Sequence, residues 1–210
     1  AAAAEAKARG ALAGVRLRGA AEGKAADVRE VKGSLTHPYA AAAGSVEADA
    51  RALPVLAETD LLVVGGGTTG GPAAVAAVRN GLRTLLLEQL YELGGVQTAG
   101  MSCGYYYGNQ RGFTSEIDAG VKATGRYKSQ AKAEWYRSEV RKGGGEIWFG
   151  CMAVGAVLEG KKLSGVVVVT PNGRRGLVRT QAVIDASGNS DVAAAAGEPT
   201  EFYRPDELIG

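Results

Sequence analysis

Histidine occurs once in this 210-residue chain, as His37, and cysteine twice, as Cys103 and Cys151. One imidazole and two distant thiols do not make a zinc site, which draws N and S ligands from short spacings. Two cysteines do not make a disulfide-built scaffold either. No run approaches the ~18 apolar residues of a membrane-spanning helix. An excess of one charge is also missing: 24 Lys+Arg against 22 Asp+Glu leaves a net +2. A chain so close to neutral does not hold nucleic acid by backbone charge. No metal, nucleic acid or membrane span is therefore expected. Glycine, in contrast, is abundant: 32 residues, about twice the usual share. It follows no Gly-X-Y period, so the chain is not collagen-like, and local geometry must account for it.

The length fits one to two domains. Residues 1–57 differ from the rest: they are rich in Ala, with scattered Arg, Lys, Glu and Gly. They read as an N-terminal extension, with a short strand-like alternation at Val15-Arg16-Leu17-Arg18 and a low-complexity run at Ala40–Ala43. From Asp60 the pattern sharpens. Leu61–Val64 is wholly apolar, as in a buried parallel strand. A glycine cluster follows at Gly65–Gly71, then a predicted helix over Pro72–Asn80, closed by Gly81. Thr84–Leu87 reads as a second apolar strand, closed by Glu88. Together these form a βαβ unit. Further on, helices are predicted over Thr114–Ala123 and Gln130–Lys142. Strands follow at Glu146–Phe149, Ala153–Leu158, Gly165–Thr170 and Leu177–Ile184. Turn signals at Glu159-Gly160-Lys161-Lys162 and Pro171-Asn172-Gly173 make the last three a β-meander. A short Ala-rich helix comes after Asp191.

Gly65, Gly67 and Gly70 spell G-x-G-x-x-G. Alone this is a weak signal, but here it follows a strand, opens a helix and precedes a strand ending in an acid. Between Gly70 and Glu88 lie 17 residues. The first glycine permits a tight turn, the second lets backbone approach a pyrophosphate, and the third lets helix pack on strand. The helix N-terminus presents N–H groups and the positive end of its dipole to phosphate. Thr68 and Thr69 join Gly65, Gly67 and Gly70 as candidate cofactor contacts. Glu88 is placed to accept hydrogen bonds from adenosine ribose hydroxyls, which disfavours a 2′-phosphate. The motif by itself leaves NAD and FAD open. Beyond Glu88, Leu93-Gly94-Gly95 and then Thr98 and Gly100 offer a second backbone approach, suited to a longer cofactor.

In the stretch Asp60–Gly100, and again in Val183-Ile184-Asp185-Ala186-Ser187-Gly188, the sequence resembles the FAD-dependent oxidoreductases of the glutathione-reductase-like, two-dinucleotide-binding superfamily. Ser187 stands where that family usually has Thr, and the hydroxyl is kept. The resemblance covers roughly residues 58–200 and implies an α/β, Rossmann-like FAD-binding domain with a βαβ unit and a β-meander. It adds Gly94, Gly95, Thr98, Ala186, Gly188 and Asp191 to the candidate FAD contacts. Its implied activity is hydride passage between a small-molecule substrate and FAD. Members continue into a substrate domain and then complete the FAD site with a C-terminal G-D motif and helix. Nothing after Asp191 does so. The expectation is therefore the front half of an oxidoreductase, with residues 201–210 opening the next domain. A second chain or another copy would be the alternative source of the rest. An NAD-binding Rossmann protein and a non-catalytic subunit retaining the flavoprotein fold are the rival readings. The compartment is not legible, with a cytoplasmic one the default.

Other signals weigh less. Gly100-Met101-Ser102-Cys103-Gly104 fits the G-x-S-x-G elbow of hydrolases, but that site needs a histidine after the acid, and His37 lies upstream. Cys103 and Cys151 are too far apart for a redox dithiol. Tyr105, Tyr106 and Tyr107, with Arg111, follow the second glycine pair. Of these Tyr105, Tyr107 and Arg111 are the candidates to line a flavin pocket and, more weakly, to act in catalysis, with Arg111 placed to stabilise negative charge on the reduced ring or a substrate anion. Lys161-Lys162 and Arg174-Arg175 read as solvated turn charges, and Trp135 and Trp148 as core.

Overall fold

A computed structural model describes residues 26–31, 52–104, 108 and 110–200. His37 and the strand-like stretch at 15–18 lie outside these residues, as do Tyr105, Tyr106 and Tyr107. The elements run β1 (Asp27–Glu30), β2 (Val55–Val64), α1 (Gly70–Arg79), β3 (Thr84–Glu88), α2 (Phe113–Ala123), α3 (Lys128–Lys142), β4 (Glu146–Phe149), β5 (Met152–Glu159), β6 (Lys162–Val169), β7 (Arg175–Asp185) and α4 (Asp191–Ala196). A 3-10 turn at Gly95–Gln97 follows β3. From β2 onward this is the expected order, with most boundaries moved outward, although α1 and β6 each end one residue earlier than predicted. Helix α1 starts at Gly70 rather than Pro72, so the proline falls in the first turn, where its missing N–H costs no intrahelical bond.

Seven strands form one sheet in the order β1-β5-β6-β7-β2-β3-β4. Strands β7, β2, β3 and β4 pair in parallel, whereas β1, β5, β6 and β7 pair antiparallel. The long strand β7 belongs to both halves. Its first part pairs with β6 over Arg175–Arg179, and it runs beside β2 from Leu177 to Asp185. It ends level with Val64, where the first glycine turn begins.

The apolar run Leu61–Val64 is buried on both faces. Leu61 and Val63 pack with Leu86 against helices α1, α2 and α3. Leu62 and Val64 pack with Leu85 and Leu87 against the meander and α4. This explains why β2 and β3 show no polar alternation there. Trp135 lies in the helical layer beside Phe113 and Tyr136, and Trp148 on the meander side; both are half-buried and pack against the core rather than within it.

Part of the stretch read as an extension is built into the sheet. Asp27–Glu30 pairs with β5, Asp27 against Leu158 and Glu30 against Gly155. Arg175 is exposed, as expected, but it opens β7 instead of sitting in the turn, and it pairs with the exposed Glu30. The tertiary fold brings the two together across 145 positions of sequence.

Ion pairs tie the helical layer at its surface. Arg79 on α1 meets Glu116 on α2 and Glu139 on α3, and Arg83 meets Asp60 at 2.7 Å. Hydrogen bonds from Arg79 hold Glu116 below its ordinary range. Lys142, then Arg79, does the same for Glu139, and Arg83 for Asp60. A carboxylate lowered in the folded state contributes stability above its unfolded pKa, and that contribution is lost as pH falls through the folded value. Urea unfolding should therefore show stability dropping below about pH 4, the ordinary carboxylate range. Arg79→Met should flatten that drop, and an unchanged acid limb would refute the assignment. In the core, Leu86→Ala should cost about 2–5 kcal/mol, the range for a fully buried leucine, read in the same titration.

Candidate functional site

Three backbone segments meet at the C-terminal ends of β2, β3 and β7. The Gly65 N–H donates to the Leu87 carbonyl at 2.8 Å, and the Ala186 N–H donates to the Val64 carbonyl at 2.8 Å. Gly65 adopts φ +92°, and a Cβ there would run into the Ala186 carbonyl. Gly66 donates its N–H to Glu88 Oε2 at 2.7 Å, and its carbonyl accepts the Gly94 N–H at 2.8 Å. A Cβ on Gly95 would lie 3.0 Å from the Gly67 Cα. A Cβ on Gly70 would strike the Gly65 carbonyl. Thus Gly65, Gly70 and Gly95 are glycines because backbone packs on backbone.

Gly67 is different, since a Cβ there would meet nothing within 4 Å. It faces a cleft of about 1090 Å³, lined by Gly65, Thr68, Thr69, Glu88, Gly95, Ala186, Gly188 and Asp191 among others. Of the candidate contacts, Gly70, Gly94 and Thr98 are not on that wall. They shape it from behind. Thr98 is buried and donates its hydroxyl to the Leu93 carbonyl at 2.6 Å, closing the second glycine loop. Arg111 is exposed just before α2 and lies off the cleft, so the structure does not bring it to the other candidates.

Glu88 is buried at the end of β3 and reaches the cleft wall. Its Oε1 accepts the Leu90 N–H at 2.7 Å while Oε2 accepts that of Gly66. These two bonds orient the carboxylate, and each oxygen keeps a second lone pair for a ligand hydroxyl. Opposite, α1 begins with Gly70, Gly71 and Pro72 and has no acid in its first turn, so nothing on the helix offsets its positive end. An open position at Gly67, a phosphate-ready helix end and an oriented acceptor carboxylate fit the pyrophosphate and ribose of a dinucleotide.

The sequence reading passed over Asp185. Its carboxylate accepts N–H groups from Ser187 at 3.1 Å, Val192 at 2.9 Å and Ala193 at 2.8 Å, fastening the Ala186-Ser187-Gly188 turn to α4. Its place before Ala-Ser-Gly was the available signal. Asp191 lies on the cleft wall, with its carboxyl pushed up by burial and then by the nearby charge of Asp185. Ser102 lies in an exposed loop with no strand before it, so the hydrolase elbow is not formed. Cys103 and Cys151 are free thiols; among the described residues no group of His, Cys, Asp and Glu could hold a metal. No helix among them is long and apolar enough to cross a membrane.

A parallel βαβ unit with a glycine turn, an acid at the second strand and an attached meander defines a dinucleotide-binding domain of the flavoprotein type. The family model for FAD dependent oxidoreductases matches residues 60–208, and the chain belongs to that family. FAD is its cofactor. The fold is shared with a geranylgeranyl bacteriochlorophyll reductase-like protein of Thermoplasma acidophilum at 22% identity and TM-score 0.53, covering 67% of this chain and 42% of that one. Also similar are the THI4 protein of Thermovibrio ammonificans (20% identity, TM-score 0.49, 66% of this chain and 61% of that one) and an L-proline dehydrogenase of P. horikoshii (12%, 0.49, 69% and 57%). The chain thus spans less than two thirds of each of these proteins. No curated protein matches it.

The glycine geometry separates structural from ligand-facing positions. Gly70→Ala should lower stability by about 1–3 kcal/mol, as overpacking does. Gly67→Ala, opening into empty space, should leave the thermal midpoint unchanged. Equal destabilisation by both would contradict this division. The thiols should differ as well: Cys103 is partly exposed, whereas Cys151 is buried and burial raises its pKa. One thiol should therefore react quickly with a disulfide reagent in the folded protein and the second only on unfolding, with peptide mapping placing the fast label on Cys103.

Proposed function

We propose that this chain is the dinucleotide-binding portion of an enzyme that passes a hydride between a small-molecule substrate and FAD. The observation that carries the reading is Gly67, which opens onto the cleft between the oriented Glu88 carboxylate and the N-terminus of α1. Bound FAD supplies a flavin ring able to accept or donate a hydride. The chain's own residues bind and orient. The α1 N-terminus and the backbone at Gly65–Thr69 would receive the pyrophosphate, and Glu88 would accept from the adenosine ribose. The loop at Gly94–Thr98 and the turn at Ala186–Gly188 would flank the remaining length, with Asp191 beside it.

Among the described residues on the cleft wall there is no Tyr, His or Lys. The ionisable groups of the wall are carboxyls, one thiol and Arg175, and substrate contact would fall to residues outside it. The same observation supports the rival reading of a flavin-binding subunit without catalysis of its own. A spectrum and a reduction experiment separate the two. Purified protein titrated with FAD should show bound-flavin absorbance near ~450 nm, and anaerobic reduction by substrate should bleach it only in an active enzyme. Gly67→Val should abolish binding by filling the pyrophosphate path. Glu88→Ala should weaken it by about 1.5–3 kcal/mol, the value of hydrogen bonds to a charged group. Unchanged affinity in both variants would refute the site.

A further inference from the structure

The cleft does not end with the residues of the family match. From Glu88 it continues past Met152, Ala153 and Val154 to Glu30, Val31 and Arg175. The Glu88 carbonyl accepts the Cys151 N–H at 3.1 Å, so the start of β5 lies directly beside the ribose-facing acid. With pyrophosphate on one side of the ribose, the base must lie on the other, toward this wall.

Strand β1 builds the outer part of that wall, although it lies some thirty residues before the start of the family match. Three kinds of contact hold it. The Val31 N–H donates to the Val154 carbonyl at 3.0 Å, extending the ladder with β5 to a residue on the cleft. Arg29 donates to the Ala196 carbonyl at 3.2 Å, at the C-terminal end of α4. Glu30 pairs with Arg175 although β5 and β6 stand between their strands in the sheet order, so the pair reaches across the sheet. Both residues of that pair line the cleft.

We propose that the segment Asp27–Val31 is part of the cofactor site: docked on β5 and fastened by the Glu30–Arg175 pair, it walls the adenosine end of the cleft. This rests on the assignment of Glu88 to the ribose. The segment acts as a clamp on the base, and cofactor affinity depends on its being docked. Releasing it should weaken every ligand that carries adenosine, FAD and ADP alike.

The test measures FAD affinity by flavin fluorescence and ADP affinity by competition, in the purified chain. Glu30→Arg places two cations together, and Val31→Pro removes the N–H that meets Val154. Each should raise the Kd for FAD about tenfold, the equivalent of one net hydrogen bond lost, and raise that for ADP in parallel. The exchanged pair Glu30→Arg with Arg175→Glu should restore affinity to within about twofold of the original, the spread allowed for an exposed ion pair. That rescue is a readout that a merely misfolded variant would not give. Wild-type affinity in Glu30→Arg and Val31→Pro, while Gly67→Val has lost FAD, would overturn this proposal and leave the cofactor site standing. FAD binding unaffected by Gly67→Val would instead overturn the site itself. Loss of affinity in Glu30→Arg without rescue by the exchanged pair would also overturn the proposed clamp.

Discussion

The structure depends on a place where backbone packs on backbone with no side chain between. The turn after β2 touches the turn after β7 at Gly65 and Ala186, and the loop after β3 at Gly66–Gly67 and Gly94–Gly95. Contacts this close are open only to glycine, because a Cβ on Gly65 or Gly70 would collide with a carbonyl. Their effect is to hold three strand ends together while Gly67, and Gly188 in the turn after β7, face open space on the cleft wall.

Two acids, at the ends of the strands that flank β2, organise the rim by the same chemistry. Glu88, ending β3, and Asp185, ending β7, each accept main-chain N–H groups from the turn that follows. Asp185 takes three such bonds, one from Ser187 and two from the first turn of α4. Glu88 takes two and keeps acceptor capacity toward the cleft. Both carboxyl groups stand on the cleft wall, each oriented by main-chain N–H donors. The buried Glu88 needs such partners.

The long strand β7 couples the two halves of the architecture. It is parallel to β2 where it delivers Ala186 to the glycine turn, and antiparallel to β6 where Arg175 reaches Glu30. The strand therefore connects the glycine-turn end of the cleft to the wall formed with β1. A chain segment outside the family match thereby shares a surface with the motif that defines the family.

Much of this was legible in the sequence, because its signals are local. An apolar run buried on both faces, a glycine turn before a helix, an acid ending the next strand and turn residues at fixed offsets all report on a few neighbouring residues. They determined the βαβ unit, the meander and the likeness to flavoproteins, and they singled out Gly67 and Glu88 as candidates to meet a dinucleotide. Only the tertiary structure separated Gly67, open to the cleft, from Gly65 and Gly70, closed by carbonyls, since a Gly-x-Gly-x-x-Gly pattern looks the same whichever glycine faces a ligand. It also turned Thr98 inward to close its own loop and placed Arg111 away from the cleft. The pairing of Glu30 with Arg175, distant in the chain and unmarked by any motif, came from strand order and the course of the sheet, which are non-local properties and leave no trace in the residues on either side.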